Sequence, residues 1–318
     1  MSSLATLLPL PVLFFALGGF AAAVRSDLAV PEALARSLSL YLMMAIGLKG
    51  GFAVAASGAT PGLWETLLGG VLLGLLLPIP AFFALRLATR LDRATAAAVA
   101  GHYGSVSVVT FAAAIGVLQA AGVAYEGFMP AVLAAMETPA IITAILLARL
   151  GAGGRLPLAK LAHEVLLNGS VLLLLGSFLA AWIAGPAARP GLAVFLDGLW
   201  TGVLCLFLLE MGLVAVRQLR AGGARLEPAL IAFGLLMPLL GAAGGWLVGT
   251  LAGLSPGGVG LMTVLGASAS YIAVPAAMRL AVPQADAGIY VTLSVAITFP
   301  FNILVGIPLY LRAAGAIG

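Results

Sequence analysis

Charge is what this sequence has least of. Only 8% of its 318 residues are Asp, Glu, Lys or Arg, against about 25% in a soluble globular domain. A water-facing fold could not cover its surface with so few. Cysteine is nearly absent as well: the single Cys205 excludes an internal disulfide and lies in an apolar stretch, so no redox pair can form. Histidine occurs twice, at His102 and His163, and no serine, histidine and acid arrangement or ligand cluster accompanies either, which leaves no basis for an enzyme or a metal centre. The basic residues are scattered over short connections and make no stripe, which excludes nucleic acid as a partner. What fills the chain instead is apolar: 63% of residues are hydrophobic and the mean hydropathy is +1.18. Such a composition needs a lipid bilayer as its solvent.

Apolar stretches of about 20 residues recur along the whole length, the pattern of a helix bundle and not of an outer-membrane barrel. They fall at 4–24, 33–56, 64–90, 95–120, 126–150, 162–184, 191–217, 226–251, 257–281 and 285–312. The expectation is an all-α membrane protein of ten helices. The first stretch has a secretory look but no basic leader, and its likeness to the sixth argues that it is retained. Arginines concentrate after odd-numbered spans, as with Arg25, Arg86, Arg90, Arg149 and Arg217, whereas the other side and the spans hold Lys49, Arg189 and Arg312. The positive-inside rule then turns the odd loops to the cytoplasm and both termini outward.

Internal matches divide the chain in two. "GHYGSVSVVTFAAA" at Gly101 aligns with "GASASYIAVPAAMR" at Gly266, 165 residues on, and the same offset carries "IGL" at Ile46 to "MGL" at Met211. "AYEG" and "ETP" match "ADAG" and "TFP" with an offset of 161. Residues 1–150 and 151–318 therefore read as two five-helix repeats of inverted topology, an arrangement common among secondary transporters. Gly70 with Gly74, and Gly241 with Gly245, occupy corresponding places and are spaced for close helix approach.

The two polar segments fall at equivalent points of helices 4 and 9. Glycine and hydroxyl residues release the helical ladder there, and a new helix starts with Thr110 as a cap in one and Pro275 in the first turn of the other. A helix broken in lipid exposes N–H and C=O groups, tolerated only where protein or a watery cavity receives them. If the segments cross near the midplane, the amides at the half-helix N-termini converge into an anion site. Against this, a membrane serine or threonine commonly bonds its own preceding turn or glues neighbouring helices. His102 can serve packing, substrate or proton transfer, and Tyr271 can be a wall residue whose hydroxyl finds a partner.

The succession "IGLKGG", "GHYGSVSVVTFAAA", "YEGFMPAVLAAMETPAIITAI", "LFLLEMGL" and "ASASYIAVPAAMRLAVPQADAGIY" resembles, over nearly the entire chain, the sodium-dependent bicarbonate transporter family first known from cyanobacteria. The resemblance implies a gate domain from helices 1, 2, 6 and 7, a mobile core from helices 3–5 and 8–10, elevator-type movement, a homotrimer, and residence in a bacterial inner membrane. It also implies bicarbonate and sodium bound where helices 4 and 9 meet. Carried over, Ser107, Thr110, Ser268 and Ser270 match hydroxyl positions of the family's binding segments, and Gly104, Ser105, Val108, Ala269 and Tyr271 complete the candidate substrate site. The chain departs from the family at Tyr271, where an acidic residue is expected, at Ala269 and Ala273 in place of serines, and at Val108 and Val109 in place of glycine and serine. Loss of the acid removes a hard oxygen ligand of the kind sodium favours, so protons, another small anion, or a channel-like or sensory role stay open. No cofactor is implied beyond a coupling ion. The short linker "GAGGRLPLAK" leaves little surface for a PII-like regulatory partner.

Ionisable residues inside spans are functional candidates because lipid makes them costly. Glu137 stands in "METPA", where the family has an aspartate, and with Thr138, His102, Ser107 and Ser270 forms the set of ion-coupling candidates. A sodium ion is expected near Ser107, Glu137 and Ser270. Glu137 is alternatively a packing acid paired with Lys49. Lys49 could also snorkel or pair with Glu210, an acid in "LLEMG" on a helix assigned to the gate.

Overall fold

The computed structural model describes residues 10–57, 61–149, 169–222, 226–271 and 273–318. Most of those residues are helical, with no strand among them. Parts of the first and sixth expected spans, the whole linker at 151–160 and His163 lie outside the described residues.

In chain order the helices are α1 (Leu10–Ala23), α2 (Glu32–Ser57), α3 (Leu63–Leu76), α4 (Pro78–Ala88), α5 (Arg93–Gly104), α6 (Val108–Ala120), α7 (Met129–Arg149) and α8 (Gly169–Ala184). There follow α9 (Trp200–Gly222), α10 (Pro228–Leu251), α11 (Pro256–Ala267), α12 (Ala273–Ala281) and α13 (Ala287–Ala313). Among the described residues seven helical stretches are long and apolar enough to cross a membrane, or eight if the bent pair Leu172–Ala184 and Pro186–Leu192 is one span. The shortfall from ten comes from α1, described over 14 residues, and from α11 and α12, each too short to cross alone.

Capping chemistry sets the helix starts. Asp92 accepts the Thr95 N–H (3.0 Å) at the head of α5, Ser255 accepts the Gly258 N–H (3.2 Å) at the head of α11, and Asp286 accepts the Gly288 N–H (2.8 Å) at the head of α13. Two of these caps are tied to the opposite half of the chain. Glu126 accepts the Ser255 N–H (2.6 Å) and hydroxyl (3.2 Å), while the Asp286 N–H donates to Thr95 Oγ1 (3.1 Å). Each connection that precedes α7 or α13 thus braces the first turn of a helix in the other half.

The most extensive helix pairings are α1 with α9 and α2 with α8. Both depend on glycine. A Cβ at Gly212 would collide with the Phe15 carbonyl across the α1–α9 seam, and one at Gly47 with the Leu174 carbonyl across the α2–α8 seam. Gly47 and Gly212 are the glycines of "IGL" and "MGL", so the matched motifs make the same kind of close approach. Gly241 and Gly245 likewise admit the Gly266 and Met262 carbonyls, seating α11 against α10.

Burial identifies the middle of the bundle. The most apolar 18 residues of the span Arg93–Ala120 are 83% buried, against 33% for those of Leu63–Ala88 and of Pro228–Leu251. A helix apolar on every side and buried on every side lies inside the protein. In α5 and α11 every residue from Ala94 to Gly104 and from Gly257 to Ala267 is buried. The polar segments that follow these two helices are therefore enclosed by protein, as irregular backbone in a membrane must be. At one end of the bundle, Arg217 donates to the Leu28 carbonyl (2.8 Å) and Arg220 to those of Ala22 and Ala23 (2.6 Å each), holding the end of α9 to the α1–α2 connection.

Candidate functional site

Helix α5 stops at Gly104, where a Cβ would run into Pro78 and Ala140. Ser105 turns extended (ψ 166°), and Ser107 (φ −114°, ψ 112°) begins α6 as its cap. The Ser107 hydroxyl accepts the Thr110 N–H (3.2 Å) and the Thr110 hydroxyl (3.0 Å). The cap is thus Ser107 and not Thr110 as the sequence suggested. Thr110 is the donor, because the capping oxygen must lie outside the helix to reach an amide three residues on. Helix α11 ends at Ala267 in a similar way, with Ser268 extended (ψ 160°) and its hydroxyl donating to the Leu265 carbonyl (2.9 Å).

The two interruptions touch. The Ser107 N–H donates to Ser268 Oγ (3.0 Å), the Ser270 N–H donates to the His102 carbonyl (2.9 Å), and His102 Nδ1 meets the Ser270 carbonyl. A carbonyl can only accept, so Nδ1 carries a proton, and in the neutral ring Nε2 is the acceptor. That Nε2 is buried without a hydrogen-bond partner, beside the Tyr290 ring at 4.9 Å between centroids. Several amides expected to be free are spent on this contact: those of Ser107, Thr110 and Ser270 all have protein acceptors. The first-turn amides that the α6 cap does not take are those of Val108 and Val109. Their side chains are buried among apolar neighbours, as is that of Ala269, so only backbone at these positions can meet a ligand.

Surrounding groups complete the frame. Ser105 donates to the Glu137 carbonyl (3.2 Å), which joins α7 to the first interruption. Glu137 is buried, and its Oε2 has no hydrogen-bond partner. Thr138 beside it is half-buried. Tyr271 packs edge-on against Phe299 (5.4 Å), with its hydroxyl directed at Ser107 but closing no hydrogen bond. Asn302 donates to the Ala267 carbonyl (2.8 Å) and accepts from Tyr310 (3.0 Å), which satisfies the end of α11. Tyr103 meets Thr298 (2.6 Å). The Thr298 proton goes to the Gly234 carbonyl (2.7 Å), so Tyr103 is the donor to Thr298. Asn302, Thr298 and Tyr310 escaped the sequence reading as site residues. Asn302 could have been found as the lone amide in "FPFNILV".

Lys49 pairs with neither Glu137 nor Glu210. Its ammonium lies 3.5 Å from Asp197 and 4.3 Å from the centre of the Trp200 ring. Gly50 is the residue of α2 pressed against Pro130 of α7, and the next position around the helix turns Lys49 towards the start of α9. Glu137 is left without that cation.

Among the described residues no group of three His, Cys, Asp or Glu side chains could hold a metal ion. A sodium ion here would draw on hydroxyl and carbonyl oxygens and at most one carboxylate. An apolar crevice of about 450 Å3 between α4 and α10, lined by Ala84, Phe233 and Met237 among others, contains none of these polar groups.

Compared with known proteins, the chain matches the family model of the Na+-dependent bicarbonate transporter superfamily over residues 10–315. No curated protein matches it.

Proposed function

The chain belongs to the Na+-dependent bicarbonate transporter superfamily, a family of transporters and not of enzymes, and on that premise we propose that it moves a small anion, bicarbonate, across a bacterial inner membrane by alternating access. The observation that carries this reading is the mutual hydrogen bonding of two interrupted helices inside the bundle, Ser107 to Ser268 and Ser270 to His102. Hydroxyls and helix-start amides gathered where lipid is excluded suit an anion that sheds part of its water.

Ten membrane spans in two inverted repeats are the arrangement proposed. Support comes from the equal 12-residue lengths of α5 and α11, the matched seams at Gly47 and Gly212, and the reciprocal bracing through Glu126 and Asp286. Helices α1, α2, α8 and α9 make the gate, and the remainder carries the site in an elevator-type movement. A homotrimer, termini on the outer side and a weak or absent PII-like partner belong to the same proposal.

The substrate site comprises the Val108 and Val109 amides with Ser107, Thr110, Ser268, Ser270 and Tyr271. Gly104 and Ser105 hold its frame. Coupling falls to sodium or protons, with Glu137 and its neighbour Thr138, and His102, as the groups to examine. Tyr271 in place of an acidic residue favours one second reading: a channel-like or sensory protein on the same fold, or a carrier of a different small anion.

Uptake of labelled bicarbonate into proteoliposomes, with and without a sodium gradient, separates these. Saturable uptake that Ser107→Ala with Ser270→Ala abolishes is expected. Ligand-dependent structural change without flux would establish a sensory protein instead.

A further inference from the structure

At the end of α9 remote from Arg217 and Arg220, a second polar group stands apart from the interrupted helices. Asp197 there receives two cations, Arg189 at 3.0 Å and Lys49 at 3.5 Å. The one carboxylate faces two cations, so these three side chains carry one net positive charge. Tyr41 from the same face of α2 has already given its hydroxyl proton to the Phe195 carbonyl and adds no charge.

Trp200 lies beneath this excess charge. The residue is 3% exposed, its ring carries the Lys49 ammonium 4.3 Å from the centroid, and its indole N–H is buried with no hydrogen-bond partner among the described residues. An indole nitrogen can only donate, and a buried donor left unpaired costs about 1–3 kcal/mol. Three donors thus stand here, a buried N–H, a mostly buried ammonium over its ring and a half-exposed guanidinium, while the one carboxylate that meets the two cations neutralises only one positive charge. Their unmet need is for an acceptor bearing negative charge.

We infer that Lys49, Arg189 and Trp200 form a second anion site on the gate helices, which takes a small monovalent oxyanion before it reaches the interrupted helices. Lys49 and Arg189 supply attraction, and the Trp200 N–H supplies a directed hydrogen bond. Asp197 limits affinity so that the anion can leave. The inference rests on the transport reading for the identity of that anion, bicarbonate, but not for the existence of the site.

The test uses iodide as an anionic fluorescence quencher on the full-length protein in detergent. Replacing Trp64, Trp182 and Trp246, which are 74%, 51% and 43% exposed, with Phe leaves Trp200 as the sole indole. Iodide is expected to quench Trp200 about threefold to fivefold more effectively than the cation caesium, the scale of one partly screened charge. Bicarbonate should relieve that quenching. Lys49→Gln and the half-exposed Arg189→Gln should each weaken it, and Asp197→Asn should strengthen it. The sign of the Asp197 result separates a binding site from an ion-pair clamp, whose loosening would admit iodide and caesium alike. Equal quenching by the two ions, or quenching that bicarbonate leaves unchanged, overturns the inference. Because quenching is read without flux, a protein that binds here yet fails to take up bicarbonate would refute the transport reading and leave this site standing.

Discussion

The Ser107 hydroxyl caps α6 while its amide is bonded to Ser268, so two substitutions separate a local role from a joining one. Ser107→Ala removes the cap together with the acceptor of the Thr110 hydroxyl, leaves the amide bond to Ser268 in place, and should cost about 1 kcal/mol. Ser268→Ala leaves the buried Ser107 N–H without its acceptor and should cost about 1–3 kcal/mol, together with the alignment of the two interruptions. Thermal unfolding in detergent measures both, and uptake should fall further in Ser268→Ala than stability alone explains. Glu137 poses a different question, because among the described residues its Oε2 has no hydrogen-bond partner and no cation pairs with its carboxyl. An unpaired carboxylate is expensive to bury, and a neutral amide of the same shape avoids that cost. Glu137→Gln should leave stability unchanged or improved while weakening cation dependence more than bicarbonate KM. Equal loss of both in uptake assays would remove Glu137 from coupling.

Among the helices, packing depends on where side chains are missing. The α1–α9 and α2–α8 seams bring backbone against backbone at Gly212 and Gly47, leaving no room for even a methyl group. Gly47→Leu or Gly212→Leu must force the pair apart, at about 1–3 kcal/mol or more, and the matched positions should respond alike. Thermal melts of the two variants check this; a large loss at one and none at the other would argue against equivalent seams. Much at this scale was legible beforehand. Runs of apolar residues located the seven or eight spans found among the described residues, the "IGL" and "MGL" match pointed to two glycines that each seat a close helix pair, and the Gly, Ser and Thr clusters marked where α5 and α11 end. The cap was misplaced by three residues because serine and threonine are both good caps, and only the course of the backbone decides which oxygen faces the free amides.

For the molecule as a whole, the proposed movement carries α6 past α9. A Cβ added at Gly116 on α6 would lie 3.3 Å from Leu204 Cδ2 on α9, close enough to test this directly. Gly116→Cys with Leu204→Cys, in a Cys205→Ser background, should form a disulfide on oxidation that stops bicarbonate uptake and a reductant should restore it. Unimpaired uptake in the cross-linked protein would exclude sliding at this seam.

Composition by itself determined that this chain lives in lipid, because 8% charged residues cannot cover a water-soluble fold, and it marked the two polar interruptions as features needing a protein enclosure. Only the tertiary structure decided which groups answer one another. Lys49 went to Asp197 and Trp200, Glu137 was left alone, and the Ser107 and Ser270 amides were spent between the interruptions. Side-chain pairing across helices depends on the rotation and depth of each helix, which packing at glycine seams and reciprocal caps establishes and which no stretch of sequence contains.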